Sequence, residues 1–141
     1  MSNNQRFGYL FGAVYILVGL VGFLVTPHVS FAATEGMNLL FFGINPLHNL
    51  IHLAVGGLFI AGAAAGAVWS WKVNMLIGGV YLAVGAIGLF AVGSSFNILA
   101  LNHPDNALHI ATAVLGLAIG SSGRKEMVMT GRPTTSAAQA R

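Results

Sequence analysis

Long apolar runs, separated by short polar segments, set the pattern of this chain. The runs cover residues 7–25, 47–69, 73–92 and 107–120. The first three are long enough for a helix that crosses a bilayer, which needs about 20 apolar residues. The fourth reaches that length if its helix begins near Asn102, because Asn before His-Pro-Asp is typical of a helix cap and first turn. The pattern predicts an all-α integral membrane protein with four transmembrane helices.

The second half of the chain repeats the first half. Residues 12–22 align without a gap on residues 78–88, and residues 45–52 align on residues 102–109 through the shared pattern Asn-x-x-x-Asn-x-x-His. A repeat that crosses the membrane twice enters and leaves on the same side, so both copies insert in the same sense. We therefore expect a four-helix bundle built from two tandem helical hairpins.

This repeat defines the expected domain plan. A single four-helix domain covers residues 1–121, with repeat one at 7–71 and repeat two at 73–121, and a polar tail covers residues 122–141.

Basic residues predict the orientation, because short loops rich in Lys and Arg stay in the cytoplasm. Arg6, Lys72 and the four basic residues near the C-terminus fall on one side of the predicted bundle. Trp69 and Trp71, expected at the end of helix two, would lie in the aromatic belt on that side. We therefore expect both termini in the cytoplasm and the protein in a bacterial inner membrane or a photosynthetic membrane.

Composition agrees with a membrane protein and excludes several other classes. Of the 141 residues, 56% are hydrophobic and 6% are charged, whereas soluble domains carry about 25% charged residues. The basic residues lie in loop ends and the tail and form no surface stripe, so nucleic acid is not an expected partner. The chain has no cysteine, which excludes disulfides and thiolate metal sites. Membrane lipid is the expected surrounding of the helices.

Glycines spaced four residues apart are predicted to hold the helices together. Lipid gives little hydrophobic drive for association, so small residues that allow close backbone contact must supply it. The Gly-x-x-x-Gly pairs are Gly8 with Gly12, Gly62 with Gly66, and Gly116 with Gly120. All lie toward the cytoplasmic half, where we expect the tightest contacts, either within the chain or with another subunit.

Histidines on the predicted external side are the main candidates for chemistry. They are His28, His48, His52, His103 and His109. His52 and His109 correspond in the repeat, and each follows an Asn by three residues, which places both side chains on one helix face. A polar pair at that depth is expected to point into the bundle, since exposure to lipid is unfavourable.

Two interpretations of these residues remain open. In the structural one, Asn45 and Asn102 cap the helices, while Asn49, His52, Asn106 and His109 hydrogen-bond across the bundle. Tyr15 and Tyr81, whose buried hydroxyls need partners, belong to the same polar network. In the functional one, His52 and His109 bind a haem iron or a metal ion. His48 precedes His52 by four residues, and its counterpart in the second repeat is Asp105. A mixed metal site of His48, His52, Asp105 and His109 is the corresponding alternative.

No arrangement of nucleophile, base and acid is recognisable, so the chain is not expected to be an enzyme. No Glu follows His48 to act as the base of a zinc protease. Every Asp, Glu, Lys and Arg lies outside the apolar runs, which argues against ion-coupled transport.

Three motifs resemble the bacterial membrane family catalogued as domain of unknown function 4383. They are Gly-x-Val-Tyr-x-x-x-Gly-x-x-Gly in helix one, Asn-Pro-Leu-His-Asn-Leu-Ile-His-Leu-Ala-Val-Gly in helix two and Asp-Asn-Ala-Leu-His in helix four. The resemblance covers residues 6–120. It implies a four-helix membrane protein and brings no established activity or cofactor.

The expected function is structural, as an accessory subunit docked on a larger bioenergetic or photosynthetic membrane complex. Its glycine-rich faces, external loop or tail would contact lipid, pigment or other membrane protein subunits. The apolar half of the first external loop, residues 37–42, is expected at the outer interface. One alternative is a haem- or metal-binding protein that uses His52 and His109. A second alternative is a small-molecule carrier or sensor with an external mouth between the hairpins.

Overall fold

The protein, seen in a computed structural model, is a bundle of four helices with one short β-hairpin. The structure describes the backbone of residues 1–129 and the side chains of residues 1–123. The elements in chain order are α1 (Asn3–Val25), β1 (Met37–Leu39), β2 (Phe42–Ile44), α2 (Pro46–Ala64), α3 (Ala67–Ala91) and α4 (His103–Met129). All four helices are long and apolar enough to cross a membrane. The predicted all-α fold with four candidate membrane-spanning helices is confirmed.

Asparagine caps fix where α2 and α4 begin. The Asn45 side chain accepts the backbone N–H three residues later at 2.8 Å, and the Asn102 side chain does the same at 3.0 Å. Each cap satisfies one of the backbone donors that a helix start leaves unpaired. The start of the fourth helix near Asn102 is therefore as predicted.

The connection between α2 and α3 differs from the prediction. The apolar run predicts a second helix through residue 69, but α2 ends at Ala64 and α3 begins at Ala67. Gly66 makes the turn with a φ of 107°, which glycine adopts readily because it has no Cβ. Trp69 and Trp71 therefore lie in α3 and not at the end of helix two. Hydropathy gives no sign of this turn, because the run of Ala and Gly continues through it.

α1 and α2 form an antiparallel hairpin in which glycines of α1 meet the backbone of α2. A Cβ on Gly8 would lie 3.0 Å from the carbonyl oxygen of Phe59, and a Cβ on Gly19 would lie 2.8 Å from that of Asn49. Residues late in α1 thus contact residues early in α2. Larger side chains at these glycines would push the two helices apart.

α3 and α4 form a second antiparallel hairpin in the same way. A Cβ on Gly78 would lie 3.2 Å from the carbonyl oxygen of Ala113, and a Cβ on Gly85 would lie 3.2 Å from that of Asn106. The same kind of close backbone approach therefore holds both hairpins.

The predicted glycine pairs divide into two groups. Gly8 and Gly12 contact α2, and Gly116 and Gly120 contact α3. Gly62 contacts Val73 of α3, but Gly66 lies in the turn, and a Cβ there would have no neighbour within 4 Å. Gly62 and Gly66 therefore do not form one helix face, and that part of the prediction is wrong.

The two hairpins meet with α1 and α3 running in the same direction. Near the start of both helices, the Asn74 side chain donates to the Asn4 side chain at 2.8 Å. Midway along both helices, the rings of Tyr15 and Tyr81 meet edge to face with centroids 5.5 Å apart. The duplication requires this shared direction. The cytoplasmic location of the termini stays a prediction.

The loop between α1 and α2 contains a two-stranded hairpin that leads into α2. β1 and β2 pair antiparallel, with Met37 opposite Ile44 and Leu39 opposite Phe42. At the tip, Leu40 is 79% exposed and Phe41 is 73% exposed. This hairpin is the only β structure within residues 1–129. It brings Gly43 toward the start of α4.

The expected domain boundary falls inside α4. α4 continues to Met129, past the expected boundary at residue 121. The rest of the predicted polar tail, residues 130–141, lies outside the described residues.

Candidate metal centre

Three histidines meet inside the bundle near the starts of α2 and α4. One ring nitrogen from each of His48, His52 and His109 lies within 4.8 Å of the others. The three residues are 2%, 8% and 5% exposed. The His48 ring centroid lies 4.4 Å from that of His52 and 5.8 Å from that of His109. We call these residues the histidine cluster; they are three of the four residues predicted for a metal site.

His48 lies in the first turn of α2, and the β-hairpin holds its ring. Its Nδ1 atom lies 3.1 Å from the carbonyl oxygen of Gly43. Because a carbonyl only accepts, Nδ1 carries the proton of the neutral ring. Nε2 then has a free lone pair and no hydrogen-bond partner among the described residues. A histidine bonded through one nitrogen with the other nitrogen available has the arrangement of most metal-bound histidines.

His52 and His109 each pack against a tyrosine ring. The Tyr15 and His52 centroids are 5.2 Å apart at an interplanar angle of 73°, and the Tyr81 and His109 centroids are 4.9 Å apart at 79°. Nδ1 is buried in both imidazoles and has no hydrogen-bond partner within the described part of the chain. Packing therefore orients these two rings and leaves a nitrogen of each unengaged.

The two tyrosines lie on the side of the cluster that faces the middle of the bundle. They are 7% and 4% exposed, and the Tyr15 hydroxyl interacts with the side chains of Thr112 and Tyr81. Buried tyrosine hydroxyls need such partners in an apolar environment. Thr112 was not among the predicted site residues, although it follows His109 by three residues and so shares its helix face.

Asp105, predicted as a metal ligand, lies outside the histidine cluster. Its Oδ2 accepts the backbone N–H of Gly43 at 2.8 Å and that of Asn102 at 2.9 Å. A carboxylate in the first turn of α4 is well placed to satisfy such donors at a helix start. Gly43 also accepts from His48. Asp105 therefore supports the His48 ring indirectly, through β2.

Asn49 and Asn106 pack against glycines of the neighbouring helix. The Asn49 side chain donates to the Thr26 hydroxyl at 3.0 Å, and a Cβ on Gly22 would overlap its amide group. Asn106 lies against Gly88 in the same way, but its amide has no hydrogen-bond partner within residues 1–123. These side chains fill notches that only glycine leaves open, and their described contacts are with the packing helix rather than with the imidazoles.

Asn45 and Asn102 join the α1–α2 and α3–α4 loops by hydrogen bonds beyond the cluster. Asn45 donates to the carbonyl oxygens of Ala33 and Ile98, both at 2.8 Å. Asn102 donates to the carbonyl oxygen of Phe41 at 2.9 Å. The predicted polar network is thus spread over caps, loops and packing contacts.

The other two histidines lie apart from the cluster, because both His28 and His103 are exposed. Sequence reasoning missed Gly43, whose backbone contacts both His48 and Asp105. No side chain marks this position as functional. Its only signal is that it lies just before the Asn45 cap.

The open space beside the cluster is small. A cavity of about 100 Å³ lies between α1 and α4 and is bounded by Tyr15, His52, Thr112 and apolar side chains. A second cavity of about 170 Å³ lies near the end of α3, away from the histidines. Pockets for drug-sized ligands measure about 300–1,000 Å³. The space at His52 suits an ion or a very small molecule.

Comparison with known proteins gives a family without an activity. The family model with the description Domain of unknown function (DUF4383) matches residues 5–122, which include both hairpins and the histidine cluster. No curated protein and no solved structure matches the chain. Because the match covers most of its length, this chain belongs to the DUF4383 family.

Proposed function

We propose that this chain is a metal-binding membrane protein in which His48, His52 and His109 bind one transition-metal ion. The observation that carries the proposal is the meeting of three buried imidazoles, each with a nitrogen that has no partner among the described residues. Imidazole is a ligand for zinc, copper, iron and nickel. Ligand sites inside helix bundles are commonly built from side chains on facing helices.

Burial makes the free nitrogens unfavourable unless something binds them. A buried polar group without a hydrogen bond costs about 1–3 kcal/mol, and the cluster contains three such nitrogens. A metal ion bound at the cluster would engage one nitrogen of each of the three rings. This gain supports a ligand at the cluster over three independent structural histidines.

The spacing of the cluster is close to that of a metal site. Metal–nitrogen bonds of about 2.0–2.1 Å place ligand nitrogens roughly 3.3 Å apart in tetrahedral geometry. The cluster nitrogens lie within 4.8 Å, so small rotations of the imidazole rings would bring them to a shared ion. The hydrogen bond between His48 and Gly43 holds one of the three rings in place.

A single ion fits the cluster better than the predicted haem or a carried small molecule. The ring centroid of His48 lies 4.4 Å from that of His52, which leaves little room for a planar macrocycle beside His52. The adjoining cavity of about 100 Å³ is also below the size of ordinary ligand pockets.

The test is retention of metal by the full chain purified in a mild detergent. The protein is dialysed against an equimolar mixture of copper, zinc, cobalt and nickel, separated from free metal by gel filtration and subjected to elemental analysis. We expect one metal ion per chain. The His52→Gln variant should bind at least about 100-fold more weakly, because it loses a direct ligand.

A matched control comes from the second hairpin. His103 is exposed and lies on α4, as His109 does, so the His103→Gln variant should keep its metal. Circular dichroism must show equal helix content in all variants. Absence of retained metal in the unaltered chain, or equal retention in the His52→Gln variant, would contradict the proposal.

The proposal assigns metal binding, and no catalysis, to this chain. The described groups around the cluster are imidazoles, tyrosines and Thr112, and the nearest carboxylate is held by two backbone N–H groups. This set supplies ligands and packing but no pair of acid and base. Hydrolysis of activated esters by the metal-loaded protein above the rate of its His52→Gln variant would argue for an enzyme instead.

The second candidate function is an accessory subunit of a larger membrane complex in an inner or photosynthetic membrane. Its support is the exposed apolar tip of the β-hairpin, Leu40 and Phe41, because exposed apolar patches often mark contacts. The proposal predicts that gently solubilised membranes contain the chain in a defined larger complex. The Leu40→Ser, Phe41→Ser double variant should be released from that complex. A chain that is monomeric in every mild detergent would count against this function.

A further inference from the structure

We infer that the ion bound by the histidine cluster is copper(I), held by three imidazole nitrogens in trigonal geometry. This inference rests on the proposed metal site and goes further by naming the charge and coordination number of its ion. It follows from three properties of the described residues: the charge of the ligands, the charge of their surroundings and the number of ligands.

The ligands carry no charge. The cluster contains three neutral imidazoles, and no carboxylate or thiolate offers a ligand atom within it among the described side chains. In an apolar interior, a dication costs about four times as much to desolvate as a monocation of equal radius, because the Born energy rises with the square of the charge. Neutral ligands leave that charge uncompensated, which favours a monovalent ion.

The surroundings supply at most one negative charge. Asp105 is 3% exposed and is linked to His48 through the backbone of Gly43. Glu35, the other carboxylate on this side with a described side chain, is exposed to solvent. The starts of α2 and α4 also direct their positive dipole ends toward this region. One buried carboxylate matches one positive charge, and the helix dipoles further disfavour a second.

The number of ligands also fits copper(I). Tyr15 and Tyr81 cover one side of the cluster with ring edges, and the Tyr15 hydroxyl is engaged by Thr112 and Tyr81. Three protein ligands are therefore available within the described cluster. Zinc bound by three histidines takes a water molecule as its fourth ligand, which would have to lie in the cavity of about 100 Å³ beside His52, and manganese or magnesium takes an octahedral set of oxygens. Copper(I) has a filled d shell and accepts three-coordinate geometry, so three imidazoles complete its site.

The test compares ions at the same site. The full chain in detergent is titrated without oxygen, first with copper(I) in competition with a chromogenic copper(I) chelator, and in parallel with zinc(II) and cobalt(II). We expect one copper(I) per chain and at least tenfold weaker binding of zinc(II). X-ray absorption of the copper-loaded protein should show three nitrogen neighbours and no fourth ligand.

Variants keep the outcomes distinct. His48→Gln should weaken copper(I) binding by at least about 100-fold, whereas His28→Gln, a change at an exposed histidine, should have no effect. Equal or tighter binding of zinc(II), or a fourth ligand in the absorption spectrum, overturns the copper(I) inference and leaves the metal site standing. Failure of every ion to bind overturns both. Copper(I) binding that survives in His48→Gln assigns the metal to another place and overturns both as well.

Discussion

The two hairpins of the bundle pack in the same way but contribute different groups to the histidine cluster. In the first hairpin Asn49 lies against Gly22, and in the second Asn106 lies against Gly88. Each hairpin also places one histidine of the cluster against the ring of one tyrosine. Corresponding positions thus make corresponding contacts, and they supply two of the three proposed ligands.

The hairpins differ at one pair of corresponding positions, His48 and Asp105. His48 turns into the cluster, whereas Asp105 turns outward to bind the backbone of Gly43 and Asn102. β2 runs between them and bonds to both. This difference gives the proposed metal site a third neutral ligand from one hairpin and a single negative charge from the other.

The largest effect is expected when single cysteines in the two hairpins are labelled with a reagent that cannot cross the membrane. Because the chain has no cysteine, single cysteines can be introduced without background. Glu35→Cys and Ser95→Cys lie in the loops within the two hairpins, which are predicted to be external, and Ala65→Cys lies in the turn between the hairpins. A membrane-impermeant maleimide added outside intact cells should label the first two and spare the third until the cells are opened.

This labelling tests both the shared direction of the hairpins and the predicted orientation. Labelling of Glu35→Cys and Ser95→Cys from opposite sides would contradict the shared direction. Labelling of Ala65→Cys alone from outside would keep the hairpins parallel and reverse the prediction that both termini are cytoplasmic.

The next largest effect is a loss of stability expected when Gly22 or Gly88, against which Asn49 and Asn106 pack, is replaced. Gly22→Ala and Gly88→Ala each place a methyl group into an amide group, and overpacking of this kind costs about 1–3 kcal/mol. The first should cost more, because Asn49 is also bonded to Thr26 and cannot move freely. Unfolding in a denaturing detergent, followed by circular dichroism, measures both.

Each hairpin offers its own control for these substitutions. A Cβ on Gly57 or on Gly79 would meet no atom within 4 Å. Gly57→Ala and Gly79→Ala should therefore be neutral or stabilise by about 0.5–1 kcal/mol, since alanine favours a helix. If all four variants lost equal stability, the notches would not be the cause.

A smaller effect is expected from the charge of the second hairpin. Asp105→Asn keeps an acceptor for the backbone N–H groups but removes the negative charge near the cluster. Copper(I) affinity should fall about tenfold, the lower range for a group that acts through a ligand. Glu35→Gln removes an exposed carboxylate on the same side and should leave the affinity unchanged. An equal loss of copper(I) affinity in both variants would indicate a long-range electrostatic effect of both carboxylates rather than a specific link from Asp105 through Gly43.

Sequence patterns predicted much of this fold, because lipid imposes simple rules. Apolar length indicates the helices, Asn45 and Asn102 mark two helix starts, and the spacing of Gly8 and Gly12 marks a packing face. The turn at Gly66 was missed because alanine and glycine are apolar in either conformation. Hydropathy indicates whether a segment lies in lipid or in water, but it does not indicate where the backbone reverses direction.

The sequence also predicted part of the candidate site, because the repeat relates two of its histidines. Histidines at corresponding positions of a repeat are visible in sequence, so His52 and His109 could be paired. The outward turn of Asp105 depends on the backbone of Gly43, a residue distant in sequence and without a side chain. A contact made by a backbone group does not require a particular residue type, so it cannot be recognised in the sequence. Only the tertiary structure reveals it.

The smallest effect should come from the tyrosine hydroxyls, where the hairpins are most alike. Tyr15→Phe removes a hydroxyl that interacts with both Thr112 and Tyr81, whereas Tyr81→Phe removes one of those two partners. Hydrogen bonds between membrane helices contribute about 0.6 kcal/mol on average, so each variant should lose about that much, and Tyr15→Phe the more. Both rings remain to pack against the histidines, and copper(I) affinity should stay within about threefold. A much larger loss of affinity would make a tyrosine oxygen part of the metal site and would replace three-coordination with four.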